Sequence, residues 1–351
     1  MRISSLFARG EPLFSFEFFP PKDDDGADRL FAAIAALREL EPAFVSVTHG
    51  AGGSSRDDRT VRLVERIGRE TGLLPMAHLT CRDSTVDDLL AEIREYQAVG
   101  IENVLALRGD PPNGEGRFVA HEGGLRYGSE LVRLLADNAD LCVGAACSPE
   151  KHVESASLEE DVAAAIQKVE AGAAFLITQL FFDNSVYFDF VSRLRKAGVT
   201  VPIVPGIMPV TNVDQVSRFT AKIGASIPPA LRVALESRAD DPAAVLQLGV
   251  AWATLQCSEL LRAGAPGVHF ITLNRSPATR AILSALRIAQ PWLRDQCEEL
   301  PLRHRPEDGA MVTNRLTHGP GDRGQGHSTQ TTSRSPTAPP GVETETQPKR
   351  I

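Results

Sequence analysis

Cysteine is scarce in this chain. The five cysteines, Cys81, Cys142, Cys147, Cys257 and Cys297, are odd in number, widely scattered and free of any CxxC pair. That pattern excludes a disulfide scaffold and a zinc ribbon, and it fits a reducing cytoplasm. Long hydrophobic runs are lacking as well. Nowhere do 18 uninterrupted apolar residues occur, and only one basic residue and no apolar run of signal length precede Phe7. Neither a membrane-spanning nor an exported chain is expected. Positive charge is in deficit, with 37 Lys and Arg against 45 Asp and Glu and a formal net charge of −8. A nucleic-acid partner is thereby disfavoured, because phosphate neutralisation asks for a basic patch. Several motifs are missing too. No GxGxxG follows the first apolar run, no GxSxG elbow occurs, and no HxH or HxxxH spacing is found. These absences argue in turn against an open dinucleotide-binding sheet, an acyl-transferring serine and a metal-dependent hydrolase.

What is present is an ordinary soluble composition, 42% hydrophobic and 23% charged over 351 residues. Residues 1–300 read as one catalytic domain and residues 301–351 as a disordered polar tail. The tail is Gly, Pro, Ser, Thr and charge, with little to bury against the entropy of ordering. Through the first 300 residues one phrase repeats: an amphipathic stretch ends in glycine, and a short apolar, β-branched run follows, as in QAVGIENVLALRG and VEAGAAFLITQ. Glycine just past a helix end followed by a buried strand is half of a βα unit. Eight such runs occur, at 13–19, 44–48, 74–79, 104–107, 142–146, 175–178, 201–205 and 268–272, and at least two helices are expected between the last two. Eight βα units close a barrel, so the predicted fold is an α/β (β/α)8 TIM barrel. The apolar helix VLQLGVAWATLQ is a candidate surface for homo-oligomer formation.

Chemistry in such a barrel lies at the C-terminal strand ends. The first of these is SFEFFPP. Alternation along a strand puts Phe14, Phe16 and Phe18 on one face and Ser15, Glu17 and Phe19 on the other. If the phenylalanines meet the helix ring, Glu17 points into the mouth. There, burial would raise its pKa toward that of a general acid, or the carboxylate pairs with a lysine or arginine as a structural group. Asp110 in LRGDPP either caps the next segment or accepts a hydrogen bond from a bound heterocycle. The HGAGGSS stretch after the second run serves as a phosphate cradle or a tight βα turn. His49, His78, His152 and His269 all fall in or near strand ends.

The ordered series SFEFFPPK, VSVTHGAGGSSRDDRT, AHLTC, LALRGDPP, PEKH, KVEAGAAFLITQLFFD, PIVPGIMPV and HFITLNR, over about residues 10 to 293, resembles the methylenetetrahydrofolate reductase family in its bacterial catalytic-domain form. The resemblance implies that NADH or NADPH reduces FAD and that the reduced flavin passes hydride to 5,10-methylenetetrahydrofolate. The product is 5-methyltetrahydrofolate, in one-carbon metabolism and methionine biosynthesis. It implies Glu17 as the acid that opens the folate ring, and Asp110 as a carboxylate beside the flavin. Flavin-side positions would be Thr48, His49, His78, Arg108, Gly109, Asp110, His152, Asp161 and Lys168. Substrate-side positions would be Glu17, Gln179, Gln215, Phe219 and Arg275, and no metal is implied. Each has a plainer alternative: Asp161 and Lys168 as solvated helix charges, Phe219 as core, Gln179 as a backbone partner. The chain departs from the family pattern at His49, where tyrosine is usual, and at Ser148 and Ile271, where aromatics are usual. Loss of aromatic stacking at the flavin side would weaken FAD binding. The alternatives are a reductase with weak or no flavin and a folate-binding barrel without redox activity. The tail does not resemble the regulatory half of the eukaryotic enzymes, so control by adenosylmethionine is not expected. The choice between NADH and NADPH is not encoded in any Rossmann acidic residue.

Overall fold

A computed structural model describes residues 1–49, 58–111 and 117–293. The expected tail, Cys297 and most of the HGAGGSS stretch lie outside the described residues. The strands are β1 (Leu13–Phe18), β2 (Phe44–Val47), β3 (Pro75–Thr80), β4 (Asn103–Leu107), β5 (Cys142–Cys147), β6 (Phe175–Thr178), β7 (Ile203–Val204), β8 (Gly206–Ile207) and β9 (Gly267–Ile271). The helices are α1 (Asp24–Arg38), α2 (Asp58–Thr71), α3 (Val86–Ala98), α4 (Gly128–Asn138), α5 (Leu158–Glu170), α6 (Asn184–Lys196), α7 (Val213–Ile223), α8 (Pro229–Glu236), α9 (Pro242–Arg262) and α10 (Pro277–Ala289).

All described strand pairs are parallel, in the order β7-β6-β5-β4-β3-β2-β1-β9-β8. The ring is a (β/α)8 barrel with one strand divided. The seventh apolar run is not a continuous strand. Pro205 splits it, so that β7 pairs with β6 while β8 pairs with β9. Proline has no amide hydrogen to give to a ladder, yet its carbonyl accepts from the His269 amide at 2.9 Å, and the barrel closes through it. Three helices, α7 to α9, fill the long gap before β9, one more than the minimum expected.

Helix starts follow local chemistry. Asp23 accepts from the Gly26 amide at the head of α1, and Thr85 and Asp88 form a reciprocal capping box at α3. The outward face of β1 behaves as its alternation predicts. Phe14, Phe16 and Phe18 join Leu30, Ile34 and Leu37 of α1 in the layer between sheet and helices. A second apolar cluster fills the barrel interior: Phe44, Met76, Leu105, Cys142, Phe175, Ile177 and Val204. It is plugged below by a 3-10 turn, Ile3–Arg9, in which Ile3 is fully buried and the Phe7 ring lies 5.7 Å from Phe175. Gly144 admits this packing, since a Cβ there would stand 2.5 Å from the Phe175 ring. The floor is thus sealed, and access is left at the strand C-termini.

Helix α9 is long and apolar enough to cross a membrane by length and composition alone. In the structure Val245, Ala253, Cys257, Leu260 and Leu261 of this helix are buried in the fold. Leu255 remains 72% exposed, so the apolar surface left for a second copy is narrower than the sequence suggests.

Candidate active site

Above the apolar plug the interior changes character on one side. β1, β2, β3 and β9 turn Ser15, Glu17, Ser46, His78 and His269 inward, and parallel register sets them at successive levels: Ser15 opposes His269, and Glu17, two residues nearer the mouth, opposes Ser46. The Ser15 hydroxyl lies 2.7 Å from His269 Nδ1, and His269 Nε2 lies 3.4 Å from Glu17 Oε2. His78 Nε2 approaches the same oxygen to 3.6 Å. Both imidazoles are buried, and the Glu17 side chain keeps 14% exposure toward the mouth. Phe44 stacks on the His269 ring at 6.0 Å and fixes its plane from below.

The expectation that Glu17 titrates high is not met. Burial alone pushes its carboxyl up, but the hydrogen bond with His269 and the imidazoles of His78 and His269 outweigh it, and the group titrates below its ordinary range. The partners are histidines, not the lysine or arginine that a structural carboxylate would recruit. Burial pushes His78 down to about 4, so at neutral pH that ring is uncharged. The resting cluster therefore holds an ionised Glu17 beside a neutral His78. An ionised Glu17 is best served by a proton on His269 Nε2, with the Ser15 hydroxyl donating to Nδ1; the other tautomer would set lone pairs face to face.

The backbone around Glu17 is pinned. Thr272 Oγ1 donates to the Glu17 carbonyl at 2.6 Å, and the Asn274 amide both donates to the Phe19 carbonyl and accepts from its N–H. This clamp requires Leu273 and Asn274 in the left-handed region, with φ of 52° and 57°. Two consecutive non-glycine residues there are strained, and such strain gathers at functional strand ends.

Other expected residues lie on the segments that follow the strand C-termini. Thr48 follows β2, and its amide donates to the Phe18 carbonyl. His49, next along, has Nδ1 3.7 Å from Glu92 Oε1. That nitrogen and His78 Nε2 are buried without a hydrogen-bond partner. Gln179 is exposed beyond β6; its backbone N–H donates to the Cys147 carbonyl, and its side-chain oxygen accepts from the Leu180 N–H at 2.9 Å. Gln215 and Phe219 lie one turn apart on α7, both half-buried, and Arg275 is exposed after β9. Asp110 is exposed and pairs with Lys222 of α7 at 3.2 Å; the segment it was expected to cap lies outside the described residues.

The residues past β4 and β5 form a different arrangement. Arg108 grips Glu154 with two bonds of 2.9 Å and stacks on Phe118 at 4.6 Å. Gly109 is held at φ 90°, where a Cβ would strike the Arg82 side chain at 2.9 Å. Asp161 is buried and accepts from the His152 amide at 2.8 Å. Lys168 Nζ donates to the Ala146 carbonyl at 2.8 Å, and burial lowers its pKa. Asp161 and Lys168 are not solvated helix charges. Ser148 and Ile271, two of the departures from the family pattern, are both half-buried.

The match between this chain and the family model described as methylenetetrahydrofolate reductase covers residues 2–287. The chain belongs to the methylenetetrahydrofolate reductase family. Within that reductase family it is 38% identical over 280 residues to the 5,10-methylenetetrahydrofolate reductase of Escherichia coli strain K12, covering 80% of this chain and 92% of that one. It is 35% identical over 312 residues to methylenetetrahydrofolate reductase (NADH) 1 of Arabidopsis thaliana, covering 84% of this chain and 52% of that one. The chain spans about half the length of the plant relatives it matches. Among solved structures, an uncharacterized protein from Clostridium thermocellum that binds two copies of 5-methyl-5,6,7,8-tetrahydrofolic acid has the same fold. Its TM-score is 0.59 at 17% identity, over 82% of this chain and 98% of that one.

For this reductase-family barrel the flavin expectation can be set against the geometry. Unpartnered, buried nitrogens on His49 and His78 are what a hydrogen-bonding heterocycle would satisfy, so the ring side fits. On the β4–β5 side Arg108, Asp161 and Lys168 are already closed on protein partners. Among the described residues no three His, Cys, Asp or Glu side chains converge as metal ligands would. An external groove lined by Phe31, Arg38, Glu39 and Glu70 lies away from the strand ends and holds none of these residues.

Sequence reasoning placed His269 near a strand end without assigning it to the site. The available signal was register: HFITL in the last strand must lie beside SFEFF in the first once the barrel closes. Glu154 and Lys222 were missed because their positions depend on loop packing.

Proposed function

We propose that this chain catalyses the reduction of 5,10-methylenetetrahydrofolate to 5-methyltetrahydrofolate with FAD as the hydride carrier and NADH as the donor. The observation that carries the reading is Glu17, an acid held in the mouth of a reductase-family barrel between two buried imidazoles. NADH is favoured over NADPH because the plant relatives are named as NADH enzymes. A cytoplasmic location agrees with Cys81, Cys142, Cys147 and Cys257 being buried and free.

Bound FAD would accept hydride from the nicotinamide and supply it to the folate. Thr48, His49, His78 and Asp110 would hold the flavin ring, while Arg108, Gly109, His152, Asp161 and Lys168 form the wall beside it. Gln179, Gln215 and Phe219 would face the pterin, and Arg275 would meet the glutamate tail.

Glu17 supplies the proton. A substrate seated over the mouth covers the 14% of the side chain still open to water, and burial then raises the carboxyl toward protonation. That proton comes from solvent as the substrate seats, while the His269 Nε2–H orients the carboxyl and the Ser15 hydroxyl steadies the opposite nitrogen. Protonation of the folate ring nitrogen opens the five-membered ring and makes the methylene carbon electrophilic. Without that proton the hydride has no reactive acceptor.

Glu17→Gln keeps the shape and removes the proton. The expected result is loss of folate turnover by about 10²- to 10⁴-fold, the usual worth of general acid catalysis, with NADH oxidation by an artificial acceptor retained. Near-normal folate turnover in this variant would remove Glu17 from the role of acid. Visible flavin absorbance, bleached by NADH in the absence of folate, separates this reading from a folate-binding barrel without redox activity.

A further inference from the structure

We propose that Lys222 is a positioning residue of this site: the counter-ion that fixes the Asp110 carboxylate and sets how much negative charge it presents to the flavin ring. The inference rests on the flavin reading above, in which Asp110 lies beside that ring. Lys222 Nζ stands 3.2 Å from Asp110 Oδ2. Asp110 follows β4 and Lys222 lies on α7, after the divided seventh strand, so the contact arches past the intervening ends of β5 and β6.

Lys222 is not a wandering surface lysine. It lies three residues beyond Phe219 and seven beyond Gln215, which puts all three on one face of α7. The end of that helix is docked from a second direction. Glu150, past β5, accepts from both the amide and the hydroxyl of Ser226, and Val153 packs so close to Gly224 that a Cβ there would meet it at 2.9 Å. The helix that presents Phe219 and Gln215 to the mouth therefore also delivers the Asp110 partner.

Folding stability does not explain the contact. With side chains 49% and 58% exposed, such a pair contributes little to holding the fold. Its consequence is electrostatic. A bare carboxylate beside a flavin opposes build-up of negative charge on reduction, whereas one with an ammonium at contact distance presents a dipole whose field falls off faster. Arg108 cannot take over this role, because Glu154 already closes its guanidinium.

The test compares wild type with Lys222→Met, Lys222→Arg, Asp110→Asn and the double variant Asp110→Asn/Lys222→Met, each supplied with FAD and measured by dye-equilibrated reductive titration. Lys222→Met should make the flavin harder to reduce, lowering the reduced-to-oxidised ratio at fixed potential threefold or more; a tenfold change in a two-electron couple is about 30 mV. Lys222→Arg should restore the wild-type value. In the Asp110→Asn background the effect of removing Lys222 should fall to less than half, and added salt should shrink the difference between wild type and Lys222→Met, because exposed charges are screened. Bound FAD with an unchanged potential in Lys222→Met, or an undiminished shift in the Asp110→Asn background, overturns the assignment. A wild-type protein that takes up no FAD overturns the flavin reading and this inference together.

Discussion

Two polar clusters share the mouth of this barrel, and they are built on opposite principles. On the β1, β3 and β9 side, Glu17, His78 and His269 meet at 3.4 to 3.6 Å, and imidazole nitrogens of His49 and His78 have no hydrogen-bond partner. On the β4 and β5 side three charged groups are closed on protein: Arg108 on Glu154, Asp161 on the His152 amide, Lys168 on the Ala146 carbonyl, at 2.8 to 2.9 Å. A buried polar group without a partner costs free energy, so a fold retains one where a ligand or a reaction uses it. The loose cluster is arranged for chemistry, and the tight one holds the loops that form its wall.

The comparison breaks most sharply at His269. Replacing it with Gln removes the imidazole that orients and hydrogen-bonds the Glu17 carboxyl in the loose cluster, while leaving an amide to meet Ser15. Folate turnover should fall by about 10²-fold, with the rate of flavin reduction by NADH unchanged. Stopped-flow measurement of the two half-reactions separates these outcomes. An equal loss in both would mean that the loose cluster serves general packing, and the contrast with the tight one would vanish.

Glu154→Ala probes the other side. Both members of the Arg108–Glu154 pair are mostly buried, with side chains 22% and 18% exposed, and Glu154 also accepts from the Phe118 amide. Removing the carboxylate strands a guanidinium and an amide, at a cost of about 2 kcal/mol in urea unfolding. A stability within 0.5 kcal/mol of wild type would show that solvent replaces the carboxylate and that the cluster is not scaffold.

How much of this was legible in the sequence follows from the same contrast. Alternation is a local property of a strand, so Phe14, Phe16 and Phe18 against Ser15 and Glu17 could be sorted onto two faces without any tertiary information, and the structure agrees. The barrel itself was legible from eight repeats, except at Pro205, where a proline in a short apolar run divides the strand. The charge state of Glu17 was not legible. Its carboxyl is held down by histidines 61 and 252 residues away in sequence, and burial alone gives the wrong sign. Partners that close across loops, such as Glu154 for Arg108 and Lys222 for Asp110, leave no periodic trace in a sequence. The charged residues could be named as site candidates, but whether each was free or committed could not.

The smallest expected effect tests the loose cluster through stability. His78 is pushed from 6.5 down to about 4 by burial, the largest influence, which outweighs the pull of Glu17 upward; His269 and His49 push in the same direction as burial. A histidine whose folded pKa lies below its unfolded value binds a proton more readily in the unfolded chain. Stability from this group is therefore complete above about pH 6.5 and is lost as pH falls toward 4. Between pH 6.5 and 5.5 the loss amounts to about 1 kcal/mol, since the unfolded chain takes up most of one proton and the folded chain almost none. Glu17, whose pKa is lowered, loses its own contribution only at lower pH, as the carboxylate protonates. His152, also lowered by burial, loses its contribution in the same interval in both proteins, so the difference between wild type and a His78 variant isolates His78. His78→Gln should unfold in urea with a shallower decline in stability across that interval, by about 1 kcal/mol less than wild type. If the two proteins lose stability in parallel, burial does not hold His78 neutral through this interval, and the ring takes up a proton beside Glu17 as readily as in the unfolded chain.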